Sequence, residues 1–192
     1  FGATGMFFDG NDSLSIPYST DFDFEDDDFT VDAWIRMNSS WTVGVIVGQD
    51  ADAGGAKSWH FRIDADAKLR FRYSTGGSDE VDVVSNATGI VHSTWYHVAV
   101  VRFSDKIAFF VDGVQKSNWI AITATFFTNE SNTLRVGMRN NDVYFKGYMD
   151  DVRVSTVARW TSGGSAYPGG GFTPPARPYS TVNDEFFNDY EK

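Results

Sequence analysis

Residues Phe29 to Met37 (FTVDAWIRM) alternate strictly: Phe29, Val31, Ala33, Ile35 and Met37 share one face, and Thr30, Asp32, Trp34 and Arg36 the other. A period of two over nine residues predicts a half-buried strand, because successive side chains of an extended chain point to opposite sides. Val43 to Val47 is apolar and β-branched and predicts a second strand. Trp59 to Asp64 and Leu69 to Tyr73 predict a hairpin that turns at Asp64-Ala65-Asp66-Ala67, and Val81 to Val84 a short strand. Tyr96 to Phe103 (YHVAVVRF) reads as a buried strand. Ile107 to Val111 and Val114 to Lys116 flank Asp112-Gly113, a pair suited to a hairpin turn whose two central residues need positive φ. Leu134 to Met138 and Lys146 to Ser155 complete the strands, and Thr156 to Trp160 is the one place where a helical turn is expected. Turn signals recur every 8–12 residues or so, a spacing that predicts an all-β, two-sheet antiparallel sandwich of the jelly-roll kind.

The 192 residues suit one such domain, with enough apolar side chains (42%) to fill a core between two sheets. Residues 1–160 carry the strand pattern. From Thr161 the chain turns rich in Gly, Pro and Ser (TSGGSAYPGGGFTPPARPYS) and then acidic, so 161–192 reads as an extended linker and tail. Of the 26 acidic residues, 21 are Asp, a turn former rather than a helix former. A net charge of −10 speaks against nucleic acid and anionic membrane surfaces as partners. No apolar run is long enough for a membrane-spanning helix, and without cysteine there is neither a disulfide framework nor a thiolate metal site. The opening FGATGMFF has no basic region or cleavage pattern and reads as a trimmed or processed start.

Four blocks in order resemble the laminin-G-like branch of the concanavalin A-like lectin/glucanase superfamily. They are Phe8 to Pro17 (FDGNDSLSIP), Asp28 to Ile35 (DFTVDAWI), Trp95 to Val100 (WYHVAV) with Val111-Asp112-Gly113, and Phe145 to Val154 (FKGYMDDVRV). Ala158-Arg159-Trp160-Thr161, Phe172-Thr173-Pro174-Pro175 and Pro178-Tyr179 resemble the exit of such domains in phage and marine-virus structural proteins. The resemblance implies two antiparallel sheets, one concave and one convex. Lectins, adhesion modules and glycosidases share that fold, so the site has to decide function.

Glycoside hydrolysis needs two carboxyl groups about 5–9 Å apart across the scissile bond. The resemblance implies an ExDxE strand for them, and no such string occurs. The nearest acidic cluster, Asp79-Glu80-Val81-Asp82, reads as a solvated edge. His60, His92 and His97 have no spaced partner for a triad or a zinc site, and His97 reads as a hydrogen-bonded core group. Calcium suits hard oxygen ligands. The related glucanases imply a structural calcium that Asp9, Asp12 and Asp150 would hold here, against a competing reading in which these carboxylates accept backbone N–H bonds. The acidic run from Asp21 to Asp28 fails as a calcium loop because Phe22 and Phe24 interrupt it.

Sugar binding uses aromatic rings against the apolar face of a pyranose, with polar groups orienting the hydroxyls. Trp41, Trp59 and Trp119 follow polar, loop-like stretches, Tyr73 precedes a Gly-Gly turn, and Arg139-Asn140-Asn141-Asp142 forms a polar loop. These are the candidate ligand residues; core packing is the competing role for each ring. Trp34 and Trp95 read as framework. The expected function is a non-catalytic carbohydrate-binding or adhesion module on a virion appendage or a cell surface. Its expected partners are glycans, other appendage proteins and further copies of itself. A purely structural subunit and a glycosidase are the alternatives.

Overall fold

The computed structural model describes residues 5–50, 56–139, 143–161 and 171–175. Strands β1 (Met6–Asp9), β2 (Leu14–Ile16), β3 (Phe29–Met37), β4 (Gly44–Gly48) and β5 (Trp59–Ile63) come first in the chain. They are followed by β6 (Leu69–Tyr73), β7 (Val81–Val84), β8 (Trp95–Phe103), β9 (Lys106–Val111) and β10 (Val114–Gln115). The last are β11 (Ile120–Ala121), β12 (Leu134–Val136), β13 (Met138–Arg139), β14 (Val143–Tyr144) and β15 (Lys146–Ser155). One sheet runs β1-β15-β3-β8-β9-β10 with β11 also on β9, and the other runs β2-β12-β4-β5-β6-β7. All their pairings are antiparallel, and the two sheets form the jelly-roll sandwich that the alternation predicts.

The core lies between the sheets. The inward residues of β3, Phe29 to Met37, are at most 1% exposed, and they face Trp59, Phe61 and Phe71 of the second sheet. Phe24 stacks on Phe29 at 4.1 Å and on Trp59 at 4.6 Å, so an aromatic column plugs one end. Tyr73 stacks on Phe126 at 4.5 Å in the same core.

The outer face of β3 departs from the half-buried expectation, since Thr30 and Asp32 are also fully buried. A strap made of residues 156–161 and 171–175 covers them. Val157 O accepts the Thr30 hydroxyl, and Thr30 Oγ1 accepts Arg159 N–H, both at 2.9 Å. Trp160 and Phe172 stack at 3.7 Å with an interplanar angle of 2° and lie over His97 and Phe110. They close a second apolar cluster of Ala99, Val101, Ala108 and Phe110. The helical turn expected at Thr156–Trp160 does not form, because the segment follows the sheet with bends in its backbone. Residues 171–175, read above as linker, pack on the domain.

Gly113 joins the hairpin to the strap. It sits at φ +74 beside Asp112 at φ 49, and its carbonyl accepts the Phe172 N–H at 3.0 Å. A Cβ there would meet the Phe172 carbonyl oxygen at 1.7 Å. Gly113→Ala is therefore expected to destabilise the domain by more than about 1 kcal/mol and to free the Trp160–Phe172 pair. A denaturant titration checks the first effect, and near-ultraviolet circular dichroism of the stacked rings checks the second.

Candidate functional site

A rim cleft forms where the ends of β1 and β15 meet the turn after β3. In that turn Asn38 O accepts Trp41 N–H at 3.2 Å and Asn38 Oδ1 accepts Ser40 N–H at 3.1 Å. The turn presents Trp41, half-buried against the core, to one wall. Asp9, Tyr144 and Lys146 line the same hollow, of about 390 Å³. Two aromatic residues, an aspartate, a lysine, Ser40 and Thr42 thus line one open hollow. Such a mixture can hold a ligand with an apolar face and a hydroxyl rim.

The outer face of the second sheet is a charge lattice. Arg70 Nε donates to Asp64 at 2.5 Å and its Nη1 to Asp82 at 2.7 Å; Arg72 Nε donates to Asp82 at 2.7 Å and its Nη1 to Glu80 at 2.6 Å. Arg62 Nε donates to Asp64 at 2.8 Å, and buried His60 meets Asp50 at 2.8 Å. Burial works against charging Asp82, yet the hydrogen bonds and charges of Arg72 and Arg70 prevail and bring its pKa down to about 2. Burial also lowers the pKa of His60, against the pull of Asp50. A glycosidase acid needs a raised pKa to carry a proton at neutral pH, and Asp82 is held in the opposite sense.

A buried ionic group lies under the strap. Asp32 Oδ2 meets His97 Nε2 at 3.0 Å, and Arg153 Nε donates to Asp32 Oδ1 at 2.9 Å. Burial opposes the charge on Asp32, but the His97 hydrogen bond and the Arg153 charge outweigh it and hold the carboxyl below its ordinary range. Both Asp32 and His97 are fully buried.

The residues singled out in the sequence scatter. Trp41 and Asp9 reach the cleft. Trp59 is 1% exposed and donates its indole N–H to Phe22 O at 2.9 Å, so its ring belongs to the core. Tyr73 is likewise buried, for the same reason: an inward position on a strand. Trp119 packs edge-on against Phe110 at 6.3 Å, away from the cleft. Arg139 lies 3.9 Å from Glu80, beside the charge lattice. Asn140, Asn141 and Asp142 lie outside the described residues.

The three carboxylates expected to share calcium do not fit one site. Asp9 pairs with Lys146, and Asp150 lies four positions further along β15, about 13 Å away at strand rise. Asp9 Oδ1 accepts Asn11 N–H at 3.0 Å and Asp12 Oδ2 accepts Asp9 N–H at 2.9 Å, the local turn bonds of the competing reading. Asp150 Oδ1 accepts Asp151 N–H at 3.0 Å. Among the described residues no group of three His, Cys, Asp or Glu is placed to hold a metal, and no helix is long and apolar enough to cross a membrane.

The sequence reading missed Tyr144 and Lys146. The alternation that runs through Lys146, Tyr148 and Asp150 on one face of β15 was the available signal for Lys146.

Fold and sequence define a lectin-type sandwich. The chain belongs to the concanavalin A-like lectin/glucanases superfamily, whose laminin-G-type family model matches residues 8–161. No curated protein sequence matches the chain. Among solved structures, the CBM40 domain of the Ruminococcus gnavus IT-sialidase bound to α2,3-sialyllactose is 12% identical over 80% of this chain and 90% of that chain, with a TM-score of 0.65. Domains LG4-5 of the mouse laminin α1 chain are 18% identical over 89% of this chain and 47% of theirs, at 0.58. Domain 4 of the Geobacillus stearothermophilus arabinanase AbnA, in complex with arabinotriose, is 18% identical over 82% and 77%, at 0.54. At these identities the likeness is one of fold.

Proposed function

We propose that this domain is a non-catalytic carbohydrate-binding module whose site is the rim cleft. The observation that carries the reading is the convergence of Trp41 and Tyr144 with Asp9 and Lys146 around one hollow. The rings offer stacking surfaces, and the charged and hydroxyl groups orient the sugar. The sialyllactose and arabinotriose complexes of the similar folds support it. Neutralisation of Asp64 and Asp82 by arginines supports a binding role over hydrolysis. An open cleft of this size binds weakly, so useful avidity requires repetition, as on a virion appendage or a cell surface.

A multimerised form of the domain on a glycan array tests this. Paired arrays with calcium and with chelator are informative, because Asp150 Oδ2 is buried with no hydrogen-bond partner among the described residues. Binding to at least one glycan class is expected. Trp41→Ala is expected to weaken it by about tenfold, the scale of one lost aromatic contact, with the fold intact by circular dichroism. A multimer that binds no glycan in either buffer overturns the reading.

A further inference from the structure

A second run of rings lies on the outer face of the seven-stranded sheet, where neither apolar cluster accounts for it. Across four strands in register stand Phe7, Tyr148, Arg36 and Trp95. Phe7 and Tyr148 have centroids 4.9 Å apart, and Tyr148 and Trp95 6.3 Å. The Arg36 guanidinium carbon lies 5.4 Å from the Tyr148 ring centre, and Arg36 Nε donates to Ser93 O at 3.1 Å, which fixes the side chain. Phe7 is 48% exposed and the other three are half-buried. Trp160 and Phe172 of the strap reach His97, the next outward residue of β8 after Trp95, and so stop beside this row.

The row runs into the cleft. Phe7 and Asp9 share a face of β1, and Tyr148 and Lys146 the matching face of β15; Asp9 and Lys146 line the cleft. The turn after β3 borders both. Asn38 and Ser39 edge a hollow of about 200 Å³ beside Arg36 and Tyr148, while Ser40 and Trp41 edge the cleft.

We infer that cleft and row are one extended site, and that the ligand is a glycan chain of several sugars, near neutral in charge, laid across this face. The inference rests on the cleft being a sugar site. The rings continue into Lys146, Asp9 and the polar turn, whereas the centre of a protein–protein interface is depleted of Lys and Asp. A polysaccharide alternates in the same way, with apolar ring faces and hydroxyl edges. Asp9 stands opposite Lys146 in the cleft and Arg36 is the single charge of the row, so no run of like charges selects a polyanion. Successive rings are tilted by 47° and 55°, which suits a single twisting chain and not the flat face of a crystalline polymer.

Isothermal titration of cello-, xylo- and arabino-oligosaccharide ladders, each from monosaccharide to hexamer, tests this on the whole chain. For the wild type, affinity for one ladder is expected to climb with length. Tyr148→Ala is expected to remove that climb, weakening the hexamer by about tenfold and leaving the shortest bound oligomer unchanged. Phe7→Ala, at an exposed ring, should do the same in part and guards against a Tyr148 variant that fails to fold. Affinity that levels off at the disaccharide, or row variants that bind the hexamer like wild type, overturns the extended site. Short-oligomer binding that still depends on Trp41 leaves the cleft standing in that case. Wild-type protein that binds no member of any ladder overturns the extended neutral site, while binding on the glycan array decides the cleft separately.

Discussion

Asp32→Ala is expected to destabilise the domain by about 3–5 kcal/mol, the usual scale for removing one partner of a buried ionic group. Asp32 accepts from both His97 and Arg153, and all of this sits beneath the Trp160–Phe172 strap. Without the carboxylate, the fully buried His97 loses its bond to Asp32 and Arg153 loses the two bonds that tie it to β3, beside the Trp160 ring 5.5 Å away. A urea titration reads the loss, and the strap should loosen with it. The pH dependence follows from the same group. The folded pKa of Asp32 lies below that of an unfolded aspartate, so its stabilising contribution is present above the ordinary carboxylate pKa of about 4 and disappears as pH falls through the folded value. Asp82, brought to about 2, acts in the same direction. Melting temperature is therefore expected to drop on acidification below about pH 4, and less steeply in Asp32→Asn. An acid limb of the same slope in that variant would show that Asp32 is not among the groups responsible.

Trp59→Ala is expected to cost about 3–5 kcal/mol as well, by a different route. The ring is 1% exposed, stacks on Phe24 at 4.6 Å and on Phe71 at 6.0 Å, and ties the 3-10 turn at Thr20–Phe22 to the sheet through the bond to Phe22 O. Truncation leaves a cavity and an unpaired carbonyl together. Trp59→Phe should recover most of the packing but not the hydrogen bond. The denaturation midpoints of the two variants measure each part. Trp41→Ala offers the contrast, with its main effect on glycan binding. A Trp59→Ala protein with native stability and lost binding would move Trp59 from the core to a ligand site.

Trp41, Trp59 and Trp119 look alike in the chain because each follows a polar stretch. A strand residue one position from a loop is inward or outward according to parity, and parity depends on where pairing begins. Pairing begins at Trp59 itself, opposite Tyr73, and both rings turn inward. Trp95, read as framework, proves half-buried on the outer face, with its ring 2.9 Å from where a Gly5 Cβ would stand. The expected calcium trio fails on register, since Asp9 faces Lys146 and not Asp150. Local sequence around these aspartates holds no information about strand offset.

Local pattern determined the longer strands of this protein, because the period of side-chain direction is a local property of an extended backbone; β6, β7 and β15 lie where the pattern ends and begins, whereas the short strands β1, β2, β11 and β14 were not read from it. Asp112-Gly113 determined a hairpin for the same local reason. Tertiary structure alone decided which outer face meets solvent. The strap from 156–161 and 171–175 buries Thr30, Asp32 and His97 and stops short of exposed Phe7 and half-buried Tyr148 and Trp95, and it reaches β3 from more than a hundred residues away. Contacts of that range arise from the geometry of two closed sheets and have no counterpart in the local pattern.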